Sequence, residues 1–302
     1  MATPTVLLVY KRSAYLRLRL GGGPLGWLRK REFKSYVQVL KKSHWSHYGA
    51  LATVRSVLKD RGLEVVNVVR DELARVEKTD GRFGLVVVVG GDGTFLEAAH
   101  WTGRVPVLAV NSDPGRSVAR FSACRGEGFA EVLDTWATGK LKPVRVSRLA
   151  LSLNGKSLPW PVLNEVLVAA KSPAGTSRYV IKIGSKHEEQ ISSGVWVSSA
   201  AGSTAAILSA GGEPIPFQKE AFQYLVREPF EKKFGRRHLV RGVLPKGRTL
   251  EFVSHMRDGM LFLDGCSLTV PFGIGDKLRV SLTAPPLSII GMRNYQPDKG
   301  KG

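Results

Sequence analysis

The sequence predicts an α/β N-terminal domain of Rossmann-like type followed by an all-β C-terminal domain. Three observations carry that reading. Apolar runs and helical stretches alternate over residues 1–140, the pattern of parallel βαβ units. The run at 85–89 passes straight into Gly90-Gly91-Asp92-Gly93-Thr94, a buried strand that ends in a glycine turn. From about Val144 the pattern changes to short alternating runs separated by turns, which marks a β-rich region over 141–283.

In chain order, residues 4–10 read as the first strand. Residues 32–42 and 48–61 read as two helices, the second stopped by Gly62. Short strands follow at 64–69, 85–89 and 105–110, and a helix at 129–138 closes this part. Ligands of such sheets bind at the carboxyl ends of the strands, which is where residues 90–94 and 111–117 fall. Beyond Val144, strands are expected at 148–153, 157–160, 165–169, 179–183 and 194–198, with Asn154-Gly155 as a turn. The β pattern resumes at 251–254, 260–263, 267–270 and 277–282, with helices expected at 205–210 and 217–226. The tail 293–302 reads as disordered.

Composition fits a globular chain. It has 302 residues and an apolar share of 43%, enough for real cores. No apolar run approaches the roughly 18 residues needed to span a bilayer, and the start is too strand-like for a signal peptide. These features predict a cytoplasmic protein without membrane contact. Cys124 and Cys266 form no metal or disulfide spacing. The six histidines (His44, His47, His100, His187, His238, His255) show no metal spacing either, so no protein-held metal is expected.

The net charge of +20 is unusual. Residues 1–42 hold ten Lys and Arg against one acid, Glu32, and Lys232-Lys233, Arg236-Arg237 and Arg241 form a second cluster. No nucleic-acid-binding signature accompanies them, so no specific nucleic acid is expected. The field suits polyphosphate ligands.

The glycine turn carries the chemistry. Glycines let the backbone approach a ligand closely, and amides at the start of the following helix face a phosphate. A phosphate loop normally avoids negative charge, so Asp92 needs a reason to be there. A general base for a hydroxyl nucleophile is one, and an indirect hold on Mg²⁺ is another.

Further motifs follow in order. They are Leu163-Asn164-Glu165-Val166, the long stretch from Ser193-Gly194 through Gly202-Ser203-Thr204-Ala205 to Ser209-Ala210-Gly211-Gly212, and Asp264-Gly265. Together with GGDGTFL they resemble the NAD kinase family over about residues 80–290. Asn111-Ser112-Asp113-Pro114-Gly115-Arg116-Ser117 is similar to the NTDPxRS element of the mitochondrial-type branch. Ser193-Gly194 in place of Asp-Gly, and Val226-Arg227-Glu228-Pro229, are similar to that branch too.

The resemblance implies a β-sandwich second domain and a C-terminal segment, 284–302, that returns to the first. It implies phosphorylation of NAD at the adenosine ribose 2′-hydroxyl by ATP or another polyphosphate with Mg²⁺, in a homo-oligomer (dimer or tetramer). Asp92 is then the catalytic base. Nucleotide contacts are implied at Gly91, Gly93, Thr94, Asn111, Asn164, Glu165, Ser193, Gly202, Ser203, Thr204, Ala205 and Ser209. Two departures stand out: Ser193 replaces an aspartate, and Ala206 replaces an aromatic ring beside the adenine. A lipid or sphingoid kinase sharing the GGDGT turn and a catalytically weak nucleotide-binding regulator are the competing readings. The LNE and GST…SAGG motifs speak against the first, whereas Ser193 and Ala206 suggest the second.

Overall fold

The computed structural model describes residues 5–20, 30–76, 81–230 and 238–292. The basic cluster at 232–237 and the tail 293–302 lie outside the described residues. The chain divides into two compact units, 1–144 with 287–302, and 145–286.

The first unit is built on a parallel sheet. β1 (Val6–Tyr10) is followed by α1 (Ala14–Leu20), α2 (Lys34–Asp60), β2 (Val65–Val69), β3 (Leu85–Gly90), α3 (Asp92–Trp101), β4 (Val107–Asn111), β5 (Cys124–Arg125) and α4 (Phe129–Ala137). The order across the sheet is β2-β1-β3-β4. Residues 289–290 pair with the start of β4, and β5 with its end.

Alternate residues of the strands (Val6, Leu8, Leu85, Val87, Val89, Leu108, Val110) pack with Leu51, Val54 and Leu58 of α2 and Phe129 and Leu133 of α4. The intervening residues Leu7, Val9, Val86, Val88, Val107 and Ala109 are buried as well. A sheet covered on both faces needs apolar residues at every position, and the VVVV run is the result.

Two readings are corrected here. The two helices expected at 32–42 and 48–61 are one helix, α2. Its buried residues Leu40, His47, Leu51, Val54 and Leu58 follow one another at three-, four- and seven-residue steps along a single face. A Cβ at Gly49 would meet nothing within 4 Å, so this glycine serves no close contact and costs the helix about 1 kcal/mol relative to Ala. The stop is as expected, with Gly62 at φ +65° donating its N–H to the Lys59 carbonyl. Helix α1 was not anticipated, since its AYLRLRL alternation imitates a strand.

The second unit is a β-sandwich. Its strands are β6 (Val144–Leu153), β7 (Lys156–Ser157), β8 (Glu165–Ala170), β9 (Ser177–Ile183), β10 (Lys186–Ser192), β11 (Val195–Ser199), β12 (Ala221–Val226), β13 (Arg241–Pro245), β14 (Thr249–Ser254), β15 (Gly259–Leu263), β16 (Leu268–Pro271) and β17 (Lys277–Ile290), with a short helix α5 (Ala206–Ser209) after β11. One antiparallel sheet has the order β13-β12-β11-β8-β15-β16. The other runs β10-β9-β14-β17, with β6 and its hairpin partner β7 beyond. Val166, Val168, Val195, Val197, Phe222 and Tyr224 of the first sheet share a core with Tyr179, Ile181, Leu250, Phe252, Leu278 and Val280 of the second. Asn154 and Gly155 both have positive φ, 52° and 80°, as a two-residue hairpin loop requires.

Residues 217–226, expected as a helix, contain strand β12 instead. Ala221, Phe222, Gln223 and Tyr224 are buried in succession between β11 and β13, so no alternation shows in the sequence. The segments 277–282 and 287–290 are a single strand, β17. Its Pro285 and Pro286 fall after the pairing with β14 over 277–281 and before the pairing with β4 at 289–290.

Candidate functional site

In the first unit, β3 ends at Gly90, Gly91 caps α3, and the helix begins at Asp92 itself. The tight turn expected around Asp92 is thus the first turn of the helix. Thr94 and Phe95 both donate their N–H to the Gly91 carbonyl, at 3.0 and 3.2 Å. Gly93 is exposed within this first turn, where helix amides lack partners of their own. Asp92 is partly exposed, and its Oδ1 accepts the Phe121 N–H at 3.3 Å. Phe121 is fixed by stacking on Phe95, with centroids 4.8 Å apart. Thr94 is only 2% exposed, and its hydroxyl faces Gly90, where a Cβ would lie 2.5 Å from Oγ1. Its role is therefore to fill the turn.

The loop after β4 packs on this turn. A Cβ on Gly91 would lie 2.5 Å from Ser117 Oγ, which accounts for the glycine. Asn111 shapes the loop: its Nδ2 donates to the Ser117 carbonyl at 3.1 Å and its Oδ1 accepts the Asp113 N–H at 3.0 Å. Helix α2 holds the loop from behind. Ser46 donates to the Ser112 carbonyl at 2.9 Å, and Ser43 donates to the Asp113 carboxylate. His47 Nε2 lies 2.8 Å from the Lys11 carbonyl, which can only accept, so Nε2 carries the proton and Nδ1 accepts from the Ser112 hydroxyl at 2.8 Å. Burial, then the nearby Lys11 charge, pushes His47 down to about 4, so the ring is neutral. A cleft of about 1010 Å³ opens along Asn111, Ser117, Arg120, Arg125 and Glu131. Its size suits a nucleotide.

In the second unit, Asn164 and Glu165 lead into β8, and Ser198 of β11 lies opposite Glu165. The turn 201–204 follows β11 directly. It lies hard against Asn164: a Cβ on Gly202 would meet Asn164 backbone atoms at 2.3–2.5 Å. Asn164 Oδ1, Glu165 Oε2 and Thr204 Oγ1 are buried atoms with no hydrogen-bond partner. Burial first, and the Asp264 charge second, push the Glu165 carboxyl up to about 8. Asp264, whose role the sequence did not reveal, organises the segment. Its carboxylate accepts the N–H groups of Leu163, Asn164 and Glu165 at 2.9, 2.7 and 3.1 Å.

The remaining candidates divide. Ser203 is fully enclosed, and its hydroxyl is committed to the Ala200 carbonyl and the Ile215 backbone, so it shapes the loop. Ala205 caps and Ser209 ends a helix of only four residues, shorter than the 205–210 expected. Ser193 is not brought to this wall. It precedes β11, whose register sets Val195 against Val168 and Ser198 against Glu165, so it sits at the far end of that strand. There it lines a separate cleft of about 630 Å³ with Arg178, Glu228 and Phe230. The Trp196 ring is taken up by Arg227, whose guanidinium carbon lies 5.8 Å from its centroid.

Among the described residues no three His, Cys, Asp or Glu side chains converge on one point. Cys124, half-buried with its thiol pushed up to about 11 by burial, and exposed Cys266 are both unpaired. Among the described residues no helix is long and apolar enough to cross a membrane.

Comparison with known proteins identifies the family and the fold. Residues 26–136 match the ATP-NAD kinase N-terminal domain. A probable NADH kinase of Oryza sativa subsp. japonica is 33% identical over 267 residues, covering 81% of each chain. An NADH kinase of Arabidopsis thaliana is 31% identical over 277 residues, 84% of this chain and 86% of that one. These plant relatives support the mitochondrial-type branch. The fold is shared with the crystal structure of an NAD kinase from Archaeoglobus fulgidus in complex with ATP, at a TM-score of 0.66 and 19% identity over 96% of this chain and 94% of that one. On motif order, fold and identity over four-fifths of its relatives, the chain belongs to the NAD kinase family.

Proposed function

We propose that the chain transfers the terminal phosphoryl group of ATP to the 2′-hydroxyl of the adenosine ribose of NAD or NADH. One observation carries this reading: three buried polar atoms without partners, Asn164 Oδ1, Glu165 Oε2 and Thr204 Oγ1, belong to segments packed against each other. An unpaired buried polar group costs about 1–3 kcal/mol. Three together are a recognition surface prepared for a polyhydroxylated or amide-bearing ligand. Glu165, held near 8, is largely protonated at neutral pH. It donates through one oxygen and accepts through the other, which matches a ribose diol.

The first unit contributes the phosphate chemistry. A secondary hydroxyl is a weak nucleophile, and Asp92 is a carboxylate with one oxygen anchored on Phe121 and the other free to accept the hydroxyl proton. Partly exposed Asp92 and exposed Gly93, at the start of α3, offer their backbone amides to phosphate oxygens. Mg²⁺ supplies charge neutralisation on the phosphates when bound. Among the described residues no cluster of three ligands could cage it, so the fit is to an ion carried on the donor phosphates. The plant relatives named NADH kinase support including the reduced dinucleotide as acceptor.

Purified protein incubated with ATP, Mg²⁺ and either NAD or NADH tests the reading. NADP or NADPH is the expected product. Binding of both nucleotides without product would favour a regulator instead, and phosphate appearing on a lipid but on neither dinucleotide would favour a lipid kinase.

A further inference from the structure

The carboxyl rim of the parallel sheet carries cations outside the glycine turn. Tyr10 is in register with Val69 of β2 and Val89 of β3. Lys11 therefore sits one residue beyond β1, between Arg70 after β2 and Gly90 at the end of β3. Neighbouring strands lie about 4.8 Å apart, so Arg70, Lys11 and the glycine turn follow one another across a rim about 10 Å wide. The Arg70 guanidinium stands by the turn: a Cβ on exposed Gly93 would lie 3.9 Å from its Nη1. Arg116, exposed on the loop after β4, contributes a third charge.

These cations differ in how they are balanced. Arg12 and Arg17 are tied to Glu72 and Asp71, each at 3.0 Å. Arg70 is oriented by Asp71 at 3.3 Å and Glu97 at 3.5 Å. Among the described residues no carboxylate comes within ion-pair distance of the Lys11 ammonium. It is half-buried, repelled by Arg70, Arg116 and Arg17 and attracted by Asp113, whose carboxylate already accepts from Ser43. Burial foremost holds it below the ordinary lysine range. Like charges gathered on a rim with an uncompensated, partly desolvated ammonium make a place for an anion of several charges. The loop does not depend on the ammonium, because His47 bonds to the Lys11 carbonyl.

We propose that Lys11, with Arg70 and Arg116 beside it, forms the subsite for the phosphate chain of the donor. This rests on the kinase reading above. The shared chemistry is a phosphate chain, which ATP and the dinucleotide pyrophosphate both carry. The donor is the occupant because the cations line the edge of the turn that holds Asp92 and the α3 amides.

Inorganic tripolyphosphate is the probe. Calorimetric titration of wild-type protein should show binding that ATP displaces. Lys11→Met should weaken tripolyphosphate about tenfold and raise the KM for ATP by a similar factor, with the KM for NAD or NADH unchanged. Lys11→Arg should recover most of the loss. Thermal melting checks that Lys11→Met is folded. If it is not, exposed Arg116→Gln takes its place, with a smaller effect in the same direction expected. Unchanged tripolyphosphate affinity in a folded variant overturns the proposal, as does a KM change confined to the dinucleotide. Failure of the kinase reading would be read separately, as absence of NADP or NADPH in the wild type.

Discussion

The carboxylate of Asp264 accepts the N–H of Asn164 at 2.7 Å, across a sequence separation of 100 residues. The same carboxylate takes the N–H groups of Leu163 and Glu165, and the Asp264 N–H returns to the Glu165 carbonyl at 2.9 Å. The LNE segment is thereby fixed by one side chain at a β-turn position with φ +49°. Asp264→Asn keeps that backbone conformation, which Asn tolerates, but replaces one acceptor by a donor. The expected result is a loss of about 2–4 kcal/mol in urea unfolding, together with weaker dinucleotide binding by calorimetry. Unchanged affinity would remove Asp264 from its positioning role.

Glu165 makes stability depend on pH. Its folded value of about 8 lies above its ordinary value of 4.5. Between them the folded chain holds the extra proton, so the contribution is full below 4.5 and is lost as pH rises through 8. The slope is up to about 1.4 kcal/mol per pH unit. Glu165→Gln should flatten that part of the stability profile while keeping a neutral donor and acceptor. A wild-type slope retained in the variant would place the titration elsewhere.

Gly202 separates crowding from loop entropy. Gly202→Ala drives a Cβ into the Asn164 backbone at 2.3–2.5 Å and should cost about 1–3 kcal/mol or more, with loss of dinucleotide binding. Gly115→Ala meets nothing within 4 Å and should leave both unchanged. Equal melting temperatures for the two variants would contradict the close packing.

His47 works in the opposite pH range. Its folded value of about 4 lies below the ordinary 6.5, so the unfolded chain binds the extra proton between them. Its contribution is present above 6.5 and is lost as pH falls through 4. Protonation also turns the acceptor Nδ1 into a donor facing Ser112. His47→Gln should remove the part of the acid-side slope in thermal melts that the wild type shows between about pH 4 and 6.5.

Local sequence was enough wherever chemistry and pattern coincide in a short stretch. The Val-rich strands and the GGDGT turn are of this kind, since burial on both sheet faces and close backbone approach each leave a residue signature, whereas the LNE element was legible only through its resemblance to a family motif. Contacts made by register left none. Lys11 and Arg70 are neighbours only because β1 and β2 run in parallel, and Asp264 reaches Asn164 only because β15 lies beside β8. Tertiary burial also overrode local pattern: β12 hides its strand character between two neighbours, and α2 runs on through a polar stretch in which His47 is buried. Ser193 reads in sequence as part of one motif with Gly202, yet a five-residue strand separates them.

The most direct test is the turnover of Asp92→Asn with ATP, Mg²⁺ and NAD or NADH, measured beside binding of each nucleotide. The substitution keeps the shape of the turn and the acceptor for Phe121 but removes the proton acceptor. The account predicts a kcat lower by about 10²–10⁴-fold with both nucleotides still bound. Wild-type kcat in the folded variant would contradict it.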